Sequence, residues 1–155
     1  MSNRWVFLAA FLTATLMVAG AFALPQFFYF ELIKSSIFIA IGVLVFFGED
    51  RYSYMLGTIF TPIWFLVDLL VGGFRNDFEV LFRYLGGHTI GPMGTPLDGF
   101  SRLAAIFLVA VSLAAWRREV NERFWSKTFW TCFAISLVYV AILTIWYLRL
   151  FPAGH

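Results

Sequence analysis

Three ionisable residues stand inside apolar stretches: Glu31 and Lys34 in "FFYFELIKSSIFIAIGVLVFF" at 27–47, and Asp68 in "IWFLVDLLV" at 63–71. Within a bilayer such a charge costs roughly 2.5–3.5 kcal/mol on insertion scales, so it is read as functional by default. Glu31 and Lys34 share one helix face a turn apart and can pair. Lys34 lies about 10 Å beyond Phe27 at the helical rise. If the two stretches form a hairpin turning near Asp50, reflection sets Asp68 opposite Leu32, level with the Glu31–Lys34 pair. Lys34 is then expected to bridge the two carboxylates. Two roles fit the trio. It can be a clamp that fixes helix registry. It can also be a path for a proton or cation, because two carboxylates outnumber one lysine.

Other chemistry is sparse. The histidines are His88, in "LGGHTIGPMG", and His155. His88 is a candidate ligand for a pigment or metal supplied at an interface, or a plain loop residue. No span carries a histidine, so no intramembrane haem ligand pair is expected. Cys132 is the single cysteine, in apolar surroundings, and reads as a packing residue. Phosphate loops, nucleophile elbows and His-Glu-x-x-His patterns are missing, so no catalytic set is visible and the chain is not read as an enzyme. No cofactor of its own is expected, although the aromatic surface would suit lipid, quinone or pigment held by a partner.

The elements that hold these residues follow from composition. The 155 residues are 61% hydrophobic and 13% charged, against about 45–50% and 25% for a soluble domain. This predicts one integral membrane domain over 1–155, an all-α polytopic helix bundle. Spans of about 20 apolar residues are expected at 5–24, 27–47, 52–74, 97–116 and 127–150, with Pro62 kinking the third. Arg4 before an apolar run and Ala21-Phe22-Ala23 have the form of a signal peptide, but the segment is read as a span. Pro25-Gln26 leaves room only for a tight hairpin between the first two.

Between the third and fourth spans, Phe74, Phe78, Leu81, Phe82 and Leu85 fall on one helical face, with Asn76, Glu79 and Arg83 opposite. This predicts an amphipathic helix at 75–85, either in the headgroup plane or continuing span three into a partner. Gly86-Gly87 should end it, and Gly91, Pro92, Gly94 and Pro96 should form a loop. Thr95 and Asp98 form a capping-box pattern with Pro96 at the first helical position. Arg118–Glu122 and Glu119–Arg123 predict that span four continues as a charged helix.

The basic residues divide almost evenly between the two sides. The dense "RREVNERFWSK" at 117–127, together with Arg4, favours the N-terminus inside and the C-terminus outside. Trp5, Trp116, Trp125 and Trp130 would form an inner aromatic belt. Ala10 and Ala14, Ser36 and Ala40, and Ala110 and Ala114 offer small faces for close helix contact. A formal charge of +2 and the lack of a basic run exclude nucleic acid as an expected partner.

"FFYFELIK", an apolar span and then "MLGTIFTPIW" resemble a family of short bacterial multi-pass membrane proteins of unknown function. The resemblance covers residues 25–64. It implies a bacterial inner-membrane setting and assigns no functional residues. Size, aromatic surface and missing catalytic residues favour a small accessory subunit of a respiratory or photosynthetic type of complex. Its partners would be lipids and other membrane subunits. The alternatives are an oligomeric transporter or channel built on Glu31, Lys34 and Asp68, and a lipid- or quinone-modifying enzyme near the 86–98 loop.

Overall fold

The computed structural model describes residues 2–89 and 95–150. The predicted loop at 91–94, Pro152 and His155 lie outside the described residues. Among those described, the chain is all helical, and five helices are long and apolar enough to cross a membrane.

α1 (Ser2–Ala23) stops just before Pro25, and a 3-10 turn over Pro25–Phe27 leads directly into α2 (Phe28–Phe46). The short link forces an antiparallel hairpin, and Phe22 and Phe28 meet edge to face across it at 5.2 Å. α3 (Asp50–Val71) runs through Pro62 as a continuous helix and ends at Gly72. Gly72 has φ +87°, a left-handed conformation in which a side chain would be strained. It separates α3 from α4 (Gly73–Leu85), so α4 is a distinct helix rather than an extension of the third span. Span three accordingly closes before Phe74, and Phe74 belongs to α4.

α5 (Pro96–Glu119) begins where the cap predicts. The Thr95 hydroxyl accepts from the Leu97 N–H at 3.1 Å, and Pro96 occupies the first turn. The charged continuation does not form. Val120 is extended and ends α5, so Arg118–Glu122 and Glu119–Arg123 lack the helical spacing their pairing required. Glu122 instead meets Arg51 at 3.2 Å, and Glu119 accepts from the Tyr54 hydroxyl at 2.6 Å. Tertiary partners on α3 outcompete two local surface pairs, each worth only a few tenths of a kcal/mol. α6 is Lys127–Leu150.

α1, α2, α3 and α5 form a closed ring, each packed on the next and α5 returning to α1. The core runs through Ala10 and Ala14 of α1, Phe38 and Ile41 of α2, Met55 and Phe60 of α3, and Ala105 and Leu108 of α5. α6 leans mainly on α3 from outside and is the most exposed span. Trp5, Trp125 and Trp130 are exposed together near one end, but Trp116 is buried and leaves the expected belt. Its ring packs against Phe124 rather than facing lipid.

α4 lies across the other end of the ring, on α5 and α3. Its docking face is narrower than the apolar pattern implied: Leu81 is buried, while Phe82 and Leu85 are exposed. Docking depends on Gly99, where an added Cβ would come within 2.6 Å of Leu81 Cβ and 3.0 Å of the Asp77 carbonyl. Gly99→Val should therefore push α4 away from α5. Overpacking of this kind typically costs about 1–3 kcal/mol. Hydrogen exchange should rise across Gly73–Leu85 and stay unchanged in α1; equal protection of α4 in variant and parent would contradict this packing.

Candidate functional site

The charged side chains at the α4 end converge from four helices. Glu31 sits in the first turn of α2, where a negative charge suits the helix dipole. One turn on, the Lys34 ammonium is 2.5 Å from Glu31 Oε1, with both side chains largely buried. It also lies 5.7 Å from the Phe30 ring centre and 5.6 Å from that of Trp64.

The expected Lys34 bridge to Asp68 is replaced. Asp68 pairs with Arg102 of α5, whose Nη2 is 2.6 Å from Asp68 Oδ2. The same nitrogen is 2.7 Å from Asp77 Oδ2 of α4, and Arg102 Nε donates to that oxygen at 2.9 Å. The physical reason is reach and shape. Arg102 presents a planar fork between two carboxylates, whereas Lys34 is a compact ammonium already engaged by Glu31 a turn away. The guanidinium lies 4.1 Å from the Trp64 ring centre, so Trp64 contacts both cations. Arg102 is only 3% exposed.

Asp98, one turn before Arg102, completes the cluster. Its carboxylate packs against Gly20 of α1 and lies in the electrostatic field of Glu31, Lys34, Asp77 and Arg102. Four carboxylates thus face two cations. Glu31 Oε2 and Arg102 Nη1 are buried without a hydrogen-bond partner among the described residues. Signals for these additional members are present in the residue spacing. Asp77 falls on the helical face of Phe74 and Leu81, where a charge must have a partner, and Asp98 and Arg102 are an i,i+4 pair inside a span.

Beside this cluster a crevice of about 80 Å³ opens between α2, α3 and α6. Lys34 and Asp68 reach its wall, together with Phe30, Trp64, Thr144 and Tyr147. His88 stands apart, exposed in the turn after α4, with its backbone N–H donating to the Arg83 carbonyl at 2.9 Å. Cys132 is buried, and its thiol points to the Tyr52 carbonyl at 3.8 Å. No group of three metal-ligating side chains occurs among the described residues.

A second polar layer closes the opposite end. Asn3 Nδ2 donates to Asp50 Oδ2 at 2.9 Å, and the buried Tyr54 hydroxyl contacts both Asn3 and Glu119. These residues tie α1, α3 and α5 together.

No protein family matches this chain, and no curated protein or solved structure is found to be similar to it.

Arg102→Met would leave Asp68 and Asp77 buried without their cation. Removing one partner of a buried pair costs about 3–5 kcal/mol. Lys34→Met should cost less, because it deprives one carboxylate, Glu31, of its cation rather than two. Reversible unfolding in mixed micelles gives both values; an Arg102→Met loss no larger than that of Lys34→Met would contradict the assignment.

Proposed function

We propose that this protein is a small structural subunit of a larger membrane complex, in which it packs helices and lipid. One observation carries the reading: the two charged ends are separated by a layer of packed aromatic and aliphatic side chains in which the buried polar groups, such as Thr13 and Thr61, are small hydroxyls. Phe38 meets Phe60 at 5.6 Å and Trp64 at 5.8 Å directly beneath the cluster, and Phe60 meets Tyr139 at 5.6 Å. No charged residue lies between the two clusters: α2 carries none after Lys34, α3 none between Arg51 and Asp68, and α5 none between Arg102 and Arg117. Such a core suits a rigid packing unit better than a conduit.

The outer surface supports a partner. Ala10 and Ala14 are spent inside the ring, but Ala110 and Ala114 face outward on α5. Small residues at that spacing let another helix approach closely. Exposed His88 is the side chain we assign to any pigment or metal that a partner brings, and lipid or quinone is the accompanying cofactor class. The setting we propose, from the resemblance at 25–64, is a bacterial inner membrane. The basic 117–127 segment then faces the cytoplasm with the N-terminus.

A second reading, transport through Glu31, Lys34 and Asp68 in an oligomer, is favoured by the crevice that reaches Lys34 and Asp68.

Mild-detergent purification of the tagged protein from its native membrane separates the two. A structural subunit should carry a stoichiometric membrane partner, and this association should weaken when Ala110→Phe fills the outward face of α5. Recovery as a homo-oligomer alone would contradict the reading.

A further inference from the structure

The crevice between α2, α3 and α6 is not needed to hold the ring together, and its chemistry is specific. It runs from the α4 junction at Gly73 and Val71 down to Trp64 and Val140. One wall carries the Asp68 carboxylate and the Lys34 ammonium, and the others are aromatic or aliphatic. The Phe30 ring, which packs on Trp146 at 6.0 Å and Tyr147 at 5.8 Å, bridges α2 to α6 near its mouth. Deeper, Tyr139 bonds to Ser36 at 2.7 Å and also to the Ile33 carbonyl, joining the same helices. Between these two bridges Val140, Leu143 and Thr144 of α6 line the crevice, which lies beside the most lipid-exposed span.

Size limits what can enter. A 150 Å³ cavity takes a benzene ring, whereas a water needs roughly 10–15 Å³. At about 80 Å³ the crevice holds a head of a few heavy atoms and excludes a quinone-sized ring. Its apolar walls would accept the start of an alkyl tail.

Charge then selects the head. Glu31, Asp68, Asp77 and Asp98 outnumber Lys34 and Arg102, and Glu31 Oε2 is buried without a hydrogen-bond partner among the described residues. An anionic head would add to the excess, and a neutral one would leave it. A cation would offset it, and the aromatic wall already accepts one, since Lys34 rests near Phe30 and Trp64. Lys34 is paired with Glu31, and Asp68 meets Arg102 through Oδ2, which leaves Asp68 Oδ1 as the carboxylate oxygen on the crevice wall that neither cation engages.

We propose that this crevice binds the primary ammonium head of an alkyl amphiphile, with Asp68 as counter-ion and the Phe30, Trp64 and Tyr147 rings as walls. The head could come from an aminophospholipid or from a free long-chain amine. The site is independent of any partner subunit, so it stands or falls separately from the structural reading above.

The test uses the full chain in dodecyl maltoside and native mass spectrometry, with dodecylamine or dodecanol at equal mole fraction. One dodecylamine should be retained at least tenfold in preference to dodecanol. Asp68→Asn should remove most of that preference. Thr144→Phe, which fills the crevice from α6, should abolish retention while leaving thermal unfolding in place. Equal retention of dodecanol and dodecylamine by the parent protein overturns the proposal without reference to any variant, as does undiminished retention by folded Thr144→Phe. Nanodiscs of phosphatidylethanolamine and of phosphatidylcholine identify the source. A retained phosphatidylethanolamine assigns the site to a lipid head, and retention of dodecylamine alone assigns it to a free amine.

Discussion

The Arg102 guanidinium is almost wholly removed from solvent. A charge in that position is tolerable only if carboxylates and hydrogen bonds surround it. Asp68 from α3 and Asp77 from α4 meet that requirement, so three helices must converge on one guanidinium. Other features follow from this convergence. α3 has to stop soon after Asp68, and the left-handed Gly72 provides the stop. α4 has to lie against α5 closely enough for Asp77 to reach, and Gly99 provides the space. Trp64 forms the floor, with its ring facing both cations.

The same logic explains why charge is confined to the two ends. In lipid the hydrophobic effect gives helices little reason to associate, so packing and interhelical polar contacts must set registry. At one end the Arg102 pairs fix α3, α4 and α5. At the other, Asn3, Asp50, Tyr54 and Glu119 fix α1, α3 and α5. The aromatic layer between them, Phe38, Phe60 and Trp64, packs ring against ring. At the Asp50 end α6 offers Thr128, whose hydroxyl donates to Glu122 at 3.2 Å. It is held by packing on α3 and by Tyr139 near Ser36, which is consistent with a crevice along its inner edge.

Much of the fold was legible because membrane spans are marked by length and apolarity alone, and because capping and amphipathic patterns are local. The Thr95 cap, the α1–α2 hairpin and the Glu79–Arg83 pair, at 2.8 Å, follow directly from spacing. The cluster was only half legible. Depth along one hairpin brought Asp68 near Glu31 and Lys34, but nothing in a two-helix argument reveals which third helix lies opposite. Arg102 sits close to a span end and so reads as an ordinary flanking base, until α5 is seen packed beside both α3 and α4. The charged 117–127 segment failed for the converse reason. Its i,i+4 pairs were real as spacing but weaker than the contacts that α3 offered to Glu119 and Glu122.

The central claim is that Asp77 and Arg102 act as one largely buried, energetically coupled unit joining α4 to the bundle. A double-mutant cycle of Asp77→Asn and Arg102→Met, read by reversible unfolding in mixed micelles, measures that coupling directly. Residues sharing a salt-bridge network typically show interaction energies of about 0.5–3 kcal/mol, whereas independent sites add within about 0.3–0.5 kcal/mol. The account predicts a coupling above about 1.5 kcal/mol, with the double variant more stable than the sum of the single losses. Additive losses would contradict it.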